Sequence, residues 1–598
     1  RPRARGPCRL ALALLLAVAA LVSPAPPALA AATLTVTNAN DSGPGSLRQA
    51  IADATPGDAI TFSPTLAGHT VALEAPLALA HDVAIDATAL AAPLTLSGRD
   101  AVQVLAVSAG ARATLAGLTI AHGYTPGDGG GIHNAGDLSL VACTLTANRA
   151  GDHGGAIANR GILTITAGVL SGNVAGIHGG AVYNLGTLRV VDSTMSANGA
   201  SVDGGAIENG AAATVLGSTF TGNVASQHGG AIDSYDSLLV RNSTFFANSA
   251  DDEGGAIYNW HEATVESSTF SANAAGWFGG GLYNRAGAIL DLANTLIAHS
   301  PRGGDCFNAA DSPATNVANL VADGSCDAAL SGDPGLGPLV DHGGPTQTLA
   351  LQAGSRAIGA GDATHCPAAD QRGVERPQGA ACDIGAYEVR LPAATTGHAT
   401  QVTAATATVV GEVAALDLDA EIRFEYGPSP AYGAAAAALP GALPAGESAA
   451  VRAGLLDLLP NTTYHYRVVA ENAAGTATGQ EATFATDPIP PAAVTGPATD
   501  VTATRATLHA TVNAHNAATS VAFEFGPDAA YGEMLPAVPA TVEGFDDADV
   551  SILLTGLEPE TTYHYRVVAE NRAGAVHGED ATFTTPAMRR THLPEIHR

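Results

Sequence analysis

The sequence predicts an all-β protein, in which a right-handed parallel β-helix built from 25-residue coils precedes two β-sandwich modules. The first observation is a Gly-Gly pair that recurs at one spacing without insertion. Its second glycines are Gly130, Gly155, Gly180, Gly205, Gly230, Gly255 and Gly280. The second observation is an asparagine column with the same step, at Asn148, Asn173, Asn198, Asn223, Asn248 and Asn273. A fixed period of this length is typical of a solenoid, in which each repeat stacks on its neighbours.

The repeat unit has the sequence pattern of short strands separated by turns. Its apolar segments are short, β-branched or aromatic, and separated by Gly, Asn, Asp and Ser. A Gly-Gly pair in every unit also disfavours a helical repeat. We expect Gly-Gly to supply positive φ or close backbone approach at a corner, and asparagine to occupy left-handed corners with side-chain amides bonding along the stack. A further column, expected to point inward, is Leu145, Leu170, Met195, Phe220, Phe245 and Phe270.

The N-terminus has the features of a secretory signal peptide over residues 1–30. Four arginines lie in residues 1–9, an apolar run follows at residues 10–22, and Ala28-Leu29-Ala30 fits a cleavage site. The alternative is an N-terminal membrane anchor, but the run is short for a bilayer span. Removal of this segment moves the net charge from −30 to −34. The strong negative charge of the chain, which has no lysine, argues against nucleic-acid partners, because it repels phosphate groups.

The cysteines and the sequence beside the repeats predict capped ends. We assign residues 31–299 to the β-helix with an N-terminal cap that includes a helix beginning at Ser46, and residues 300–389 to a C-terminal cap. Neither the spacing of Cys306 and Cys326 nor that of Cys366 and Cys382 is the spacing of a metal site. In an oxidising compartment they are expected to form two local disulfides, with Cys143 a buried free thiol.

The repeats carry a family resemblance. GGAI-x-N paired with F-x-x-N, as in Phe220-Thr-Gly-Asn223, resembles the repeats of bacterial polymorphic outer-membrane proteins. Residues 35–51 and 370–388 resemble the start and end of secreted bacterial β-helix proteins with a choice-of-anchor Q region. The resemblance covers about residues 33–389. It implies a pectin-lyase-like solenoid that is secreted or on the cell surface, without a known reaction.

Two C-terminal segments repeat each other at a constant offset. Tyr464 to Asn472 recurs letter for letter at Tyr563 to Asn571, each after Leu-x-Pro-x-Thr-x-Tyr. The pattern resembles fibronectin type III modules, in which that tyrosine forms the tyrosine corner. The usual core tryptophan is absent, which indicates a divergent type. The expected modules are residues 390–487 and 491–586, followed by a tail at 587–598.

Candidate site residues come from two columns of the repeat, one before Gly-Gly and one inside GGAI-x-N. We expect an exposed ligand stripe formed by His178, Tyr183, Asp203, Glu208, His228, Asp233, Glu253 and Tyr258. A solvated face and a sugar-binding stripe, which would include Trp260 and Trp277, are both open interpretations. Adjacent coils would also place Glu208 and Asp233 about 5 Å apart, as a retaining glycosidase requires, although any β-helix gives that spacing. No Arg or Lys base accompanies them, and no catalytic residue, metal ligand or cofactor is assigned.

These observations favour a non-enzymatic secreted or cell-surface protein, a rigid rod on sandwich spacers that interacts with glycans or with cell-surface or matrix components. No transmembrane segment is expected in the mature chain. The alternative is a polysaccharide lyase or glycoside hydrolase acting on the β-helix face. Acidic secreted repeats can also bind Ca²⁺, but no Asp-rich nonapeptide of the known type is present.

Overall fold

The computed structural model describes residues 32–310, 312 and 314–589. The predicted signal peptide lies outside the described residues, as does most of the tail. In the described part, the helices are the α-helix Leu47–Asp53 and the 3₁₀ helices Pro64–Leu66 and Ala363–His365. The α-helix begins after Ser46, whose side chain accepts from the Gln49 N–H, as predicted. None of these helices is long and apolar enough to cross a membrane.

The N-terminal half is a parallel β-solenoid of four sheets, which we number I to IV in the order in which a coil visits them. The strands of sheet I are Leu77–Leu79, Leu105–Val107, Ile132–Asn134, Ile157–Asn159, Val182–Asn184, Ile207–Asn209, Ile232–Ser234, Ile257–Asn259, Leu282–Asn284 and Cys306–Asn308. Those of sheet II are Thr33–Val36, Asp58–Phe62, Val83–Asp86, Arg112–Ala116, Asp137–Val141, Ile162–Thr166, Thr187–Val191, Ala212–Leu216, Ser237–Arg241, Glu262–Glu266, Ile289–Ala293 and Ala314–Val317.

Sheets III and IV complete each coil. The strands of sheet III are Thr70–Ala72, Leu94–Ser97, Leu118–Ala121, Thr144–Thr146, Val169–Ser171, Thr194–Ser196, Thr219–Thr221, Thr244–Phe246, Thr269–Ser271, Leu296–Ala298 and Leu320–Val321. Those of sheet IV are Tyr124–Thr125, Arg149–Ala150, Val174–Ala175, Gly199–Ala200, Val224–Ala225, Ser249–Ala250 and Ala274–Ala275. Sheet III has 11 strands, so the solenoid makes about 11 turns. Between Ile132 and Leu282 every residue of sheet I pairs with its equivalent in the next repeat, which confirms the predicted period.

The interior is built from the predicted inward columns. Phe220, Phe245 and Phe270 are fully buried, and their rings stack with centroids 4.8 and 4.6 Å apart. Ile207, Ile232 and the other aliphatic residues that follow Gly-Gly-Ala are buried beside them. Since the coils repeat in register, each side chain packs on its equivalent above and below, and one apolar core runs along the axis.

The asparagine column forms the predicted ladder, but the left-handed corner lies one residue earlier. The Asn198 amide donates to Leu170 O and to Asn223 Oδ1, both at 2.9 Å, and neighbouring coils repeat this pattern. Positive φ occurs at the preceding residue, Ala197 at 52°. The expectation that asparagine itself is left-handed was therefore wrong. Its backbone N–H and its side chain both bond along the stack, so the residue before it makes the bend.

The Gly-Gly pair meets both conditions expected of it, one at each glycine. Gly204 has φ of +65°. Gly205 does not, but a Cβ there would lie 2.1 Å from Gly230 O and 2.7 Å from the Val224 backbone. The first glycine therefore makes the turn, and the second lets consecutive coils approach.

The structure corrects the expectation that the chain leaves the solenoid at residue 300. Cys306–Asn308, Ala314–Val317 and Leu320–Val321 pair in parallel with the preceding coil and extend the stack. Leu282 pairs with Cys306, so this coil is one residue shorter than the repeat, which hides it from a search for the regular period. Both predicted disulfides, Cys306–Cys326 and Cys366–Cys382, are present, and Cys143 is a buried free thiol as predicted.

The segment that follows lies along the outside of sheet III. It contains an antiparallel pair, Leu336–Val340 with Thr348–Leu351. The buried Gln371 amide donates to Thr219 Oγ1 and Thr346 Oγ1 and accepts from Thr244 Oγ1, at 2.6–2.9 Å. Buried ion pairs join Arg372 to Asp370 and Arg376 to Glu388. The 370–388 motif is therefore a hydrogen-bonded clamp on the side of the rod.

The C-terminal part is antiparallel. One set of strands is Ala393–Thr396, Ala407–Ala414, Ala420–Gly427, Ala434–Leu443, Ser448–Leu455, Thr463–Asn472, Gly475–Thr478 and Ala482–Ala485. The other is Ala492–Thr495, Arg505–Asn513, Thr519–Gly526, Glu533–Val542, Asp547–Thr555, Thr562–Asn571, Gly574–His577 and Ala581–Thr584. In both sets the repeated tyrosine hydroxyl accepts from an upstream backbone N–H, that of Leu459 for Tyr464 and that of Glu558 for Tyr563. Each set encloses its own apolar core.

Candidate functional site

Three outward columns converge on sheet I. The central column alternates with buried Ile and Asn, so Tyr183, Glu208, Asp233 and Tyr258 point away from the core. The residues before Gly-Gly lie on one side of it, and a column that contains Leu185, Gly210, Tyr235, Trp260 and Arg285 lies on the other. We call Tyr183, Asp203, Glu208, His228, Tyr235, Asp233, Glu253, Tyr258 and Trp260 the sheet I cluster.

All eight predicted stripe residues lie in or beside this cluster, but the expectation that they are exposed was wrong, since four are buried and the other four are half-buried. Asp203, Glu208, Asp233 and Tyr258 are between 0 and 5% exposed. Asp203 is covered by the two histidines of its own column, and Asp233 by an aromatic side chain of the neighbouring column. Trp260 reaches back one coil, and its Nε1–H donates to Asp233 Oδ1 at 2.8 Å.

Asp203 is the carboxylate with the most partners in the cluster. Its oxygens lie 3.3 Å from His178 Nδ1 and 3.0 Å from His228 Nδ1, and the His228 backbone N–H donates to it. Burial alone would raise its pKa, but these histidine contacts outweigh burial and hold the pKa of Asp203 well below its usual range. Burial opposes the charge on His228, yet Asp203, 3.0 Å away, raises the pKa of that imidazole. Glu253 Oε2 lies 3.2 Å from His228 Nε2 and continues the chain of charges.

Glu208 and Asp233 differ from Asp203 in that their pKa values are raised and not lowered. They are register partners on adjacent strands, and Glu208 Oε2 and Asp233 Oδ2 have no hydrogen-bond partner among the described residues. Burial and the neighbouring carboxylates raise the pKa of both groups well above the usual range. Since neighbouring like charges in a buried site cannot both ionise readily, the neutral form of each carboxyl is favoured relative to an exposed one.

The aromatic rings of the site stack along the solenoid axis. Tyr258 stacks on Tyr283 at 4.7 Å, and Tyr283 on Phe307 at 5.0 Å. Trp260 has Tyr235 4.7 Å away and the Arg285 guanidinium 4.2 Å from its ring centroid. The faces of these rings are therefore largely occupied, and their edges point outward. Trp277 differs: it is 63% exposed and pairs with no described ring.

Sequence reasoning missed Tyr235, Arg285 and Phe307. Tyr235 and Arg285 stand two residues after the central column, at the position that Trp260 occupies in its coil. The same repeat spacing could have found them if a third column had been followed. Phe307 follows the shortened coil and had no such signal.

Among residues 32–310, 312 and 314–589, no group of three or more His, Cys, Asp or Glu side chains is arranged to hold a metal ion. The acids of the sheet I cluster are spread across coils, and Asp203 and Glu253 lie beside histidines while Asp233 accepts from Trp260. The chemistry that remains is hydrogen bonding by carboxyl, imidazole and phenol groups and contact with aromatic edges.

Comparison with known proteins identifies part of the repeat. Residues 217–235 and 242–259 match the Chlamydia polymorphic membrane protein repeat. No curated protein matches the chain. The sensor domain of the anti-sigma factor RsgI4 in Pseudobacteroides cellulosolvens matches with 20% identity over 18% of this chain and 90% of that chain, with a TM-score of 0.14. Chicken CNTN1 FN1–FN3 domains match with 17% identity over 32% of this chain and 66% of that chain, with a TM-score of 0.18. Such scores carry no argument about the fold.

Proposed function

We propose that this is a non-enzymatic secreted or cell-surface protein whose solenoid is a rigid rod and whose sheet I face binds saccharide. Repeats like those of polymorphic membrane proteins, on a β-solenoid, fit a surface or outer-membrane-type protein. Two disulfides fit an extracellular compartment. Secretion by residues 1–30 and adhesion as the role belong to this proposal.

The finer assignments of the flanks are also part of the proposal. Residues 35–51 and 370–388 would be the flanks of a β-helix of the choice-of-anchor Q type, and 390–487 and 491–586 two fibronectin type III-like sandwiches that act as spacers. The tyrosine-to-backbone hydrogen bond repeated in both C-terminal sets supports the second assignment. It predicts that each of these segments folds when produced alone.

The observation that carries the saccharide proposal is the convergence of polar and aromatic groups on one sheet. Consecutive coils place imidazole, phenol and carboxyl groups there at the coil spacing, and a saccharide offers hydroxyl groups that both donate and accept. Because most ring faces are covered, stacking of a sugar ring depends on Trp277, which is more exposed than Phe278 and Tyr235 and pairs with no described ring.

A glycan array followed by calorimetry tests the proposal. Trp277→Ala should weaken binding of any glycan found by about tenfold, as expected for a lost stacking contact. The matched control is Val224→Ala, an exposed apolar residue on sheet IV, which should bind as the parent does. Absence of glycan binding, or equal effects of the two substitutions, would reject the proposal.

A second candidate is glycoside hydrolysis, and the raised pKa values of the adjacent Glu208 and Asp233 carboxyls favour it. A protonated carboxyl could donate to a glycosidic oxygen while an ionised one acts on the other side. Against it, Asp233 is bonded to Trp260 and both free oxygens are covered. New reducing ends from pectins, alginates or host glycans, lost in both Glu208→Gln and Asp233→Asn, would establish the enzyme.

A further inference from the structure

We infer that the second C-terminal set of strands, which begins with Ala492–Thr495, binds an arginine side chain of a partner protein in a groove on its outer surface. The inference goes beyond the proposed function, in which these strands act as a spacer, and it does not depend on saccharide binding. It rests on a comparison of the two C-terminal sets, whose residues correspond at the constant offset that relates Tyr464 to Tyr563.

The groove lies on the side of the sheet that faces away from the core of the second set, since Ala522 and Val568 alternate along their strands with core residues. Ala522 pairs with Pro536 on one neighbouring strand and with Val568 on the other, and these three residues line it. Met534, which is 57% exposed, and Glu570 border it. Its volume is about 410 Å³. An apolar surface beside a carboxylate suits a side chain with an apolar stem and a cationic end.

In the first set a side chain of the protein itself occupies the equivalent place. Arg423 stands at the position of Ala522 and pairs with Val469 on the neighbouring strand. Its Nη1 lies 3.0 Å from Glu471 Oε2, and its Nη2 lies 3.6 Å from Glu425 Oε1. The first set therefore shows how this surface holds a guanidinium group between two carboxylates.

The second set keeps both carboxylates but lacks the arginine. Glu570 corresponds to Glu471, and it forms no ion pair with the described residues. Glu524 corresponds to Glu425 and accepts from Arg566 through Oε2 at 2.6 Å, but its Oε1 accepts no hydrogen bond from the described residues. Carboxylate oxygens on either side of the groove are therefore available to N–H donors of a partner.

An arginine side chain fits these features better than a lysine or an apolar side chain. Its planar guanidinium has five N–H donors in a fixed fork, which can contact acids on two sides, whereas the lysine ammonium is a compact point charge. An apolar side chain would cover the groove without supplying donors to the carboxylates. The strongly acidic chain also attracts basic partners over a distance.

Methionine signals make the groove accessible to NMR, because the chain has 3 methionines. Met534 borders the groove, Met195 is buried in the solenoid core, and Met588 follows the last strand. The full mature chain, labelled with ¹³C at the methionine methyl groups, is titrated with N-acetylarginine amide. The Met534 signal should shift to saturation while the other two stay unchanged. N-acetylcitrulline amide, which has a similar shape but no charge, should bind about tenfold more weakly because its hydrogen bonds are not charge-assisted.

Substitutions in the second set test the contacts. Ala522→Arg should fill the groove as Arg423 does in the first set, and should abolish the response of Met534. Glu570→Gln should weaken binding of the arginine derivative about tenfold and leave the citrulline derivative unchanged. Glu558→Gln, an exposed acid near the opposite end of the strand Thr562–Asn571, is the matched control and should bind as the parent does.

The first set provides the converse test. Ala435 corresponds to Met534, so Ala435→Met places a methyl reporter at the equivalent position. Its signal should not respond to N-acetylarginine amide while Arg423 is present. In the double variant Ala435→Met, Arg423→Ala, the emptied groove should accept the ligand and the new signal should shift.

Equal binding of the arginine and citrulline derivatives, or a Met534 response that survives Ala522→Arg, would overturn the inference. If Ala522→Arg fails to fold, the comparison of the two ligands on the parent protein still decides. A Met534 signal that moves on deletion of residues 590–598 alone would assign the groove to the chain's own tail, which contains Arg590 and Arg598, and would overturn the partner proposal. The glycan array is independent of all these outcomes, so saccharide binding stands or falls separately.

Discussion

Glu208 and Asp233 occupy the same position on adjacent coils of sheet I, and each has an oxygen without a partner among the described residues. Asp203, on the neighbouring column, has two histidines instead. Carboxyl groups therefore have raised pKa values at one position and a lowered pKa at another nearby. Burial is common to all three acids, so the difference lies in the partners that each coil supplies.

We predict that Glu208, Asp233 and His228 make stability fall as pH rises above the ordinary carboxyl pKa range. Glu208 and Asp233 have raised pKa values in the folded chain, so above the ordinary carboxyl pKa the unfolded chain binds fewer protons than the folded one. The raised pKa of His228 acts in the same direction: its stabilisation is present below its ordinary value of 6.5 and is lost as pH rises through the folded value. Asp203 has the opposite sign and loses stabilisation only on acidification.

Glu208→Gln should flatten this dependence, because it removes the ionisation that high pH forces on the pair. The expected change is about 1.4 kcal/mol for each pH unit over which the folded chain holds one more proton. Burial and Glu388 also raise the pKa of Asp383 to about 7, so the variant is compared with the parent in urea titrations across the range. Glu262→Gln, an exposed acid on sheet II, is the control. A slope unchanged in Glu208→Gln would show that the pair is already ionised.

The sequence predicted the parts of the fold that depend on nearest-neighbour coils. Gly205, Asn198 and Phe220 each recur at the same interval in the neighbouring repeats. Equal intervals require that equivalent residues stack in register, and the parallel solenoid follows from that register. The lengths of the coils outside the period were not predicted, because a parallel sheet needs only register and not equal coil length. Arg112 pairs with Asp137 at the repeat distance, but Ala113 pairs back to Val83, which lies farther away in sequence than one repeat.

The sequence predicted which residues form the candidate site but not how far their side chains are exposed. A column pattern shows that Glu208 and Asp233 point outward, but a side chain that points outward can still be covered. Trp260 covers Asp233 from the next coil, and the path of a long side chain across a strand cannot be obtained from spacing alone. The clamp at Gln371 was missed for a similar reason: its partners Thr219 and Thr244 are remote from it in sequence.

Gly205→Val should destabilise the solenoid by roughly 1–3 kcal/mol, and more if the coils separate. The cause is contact with Gly230 O and the Val224 backbone, which cannot move without breaking the stack. Gly199→Val is the matched control: it lies in a strand of sheet IV, has no positive φ, and a Cβ there meets only Val224 O at 3.9 Å. Thermal unfolding should separate the two variants; equal melting temperatures would contradict this account of the glycine column.

The mature chain should contain one free thiol. Without reductant, a thiol reagent should find Cys143 only after unfolding, because that side chain is 1% exposed. With reductant, unfolding should become easier by roughly 3 kcal/mol for each short disulfide loop. Mass spectrometry of unreduced peptides checks the pairing, and a peptide that links Cys306 to Cys366 or Cys382 would contradict it.

Gln371→Leu should loosen the 370–388 clamp from sheet III while the solenoid stays folded. Thr244 Oγ1 donates to Gln371 Oε1, and leucine leaves that buried hydroxyl without its acceptor, at a cost of about 1–3 kcal/mol. The release can be measured with trypsin, because the chain has no lysine and Arg372 and Arg376 are buried in the clamp. We expect early cleavage after Arg372 in Gln371→Leu, whereas the Arg376–Pro377 bond is resistant to trypsin in every variant. Gln352→Leu, an exposed glutamine of the same segment, should be cut there no faster than the parent. If the two variants are cleaved alike, the hydrogen bonds of Gln371 do not hold the clamp, and the buried ion pairs of Arg372 and Arg376 must do so instead.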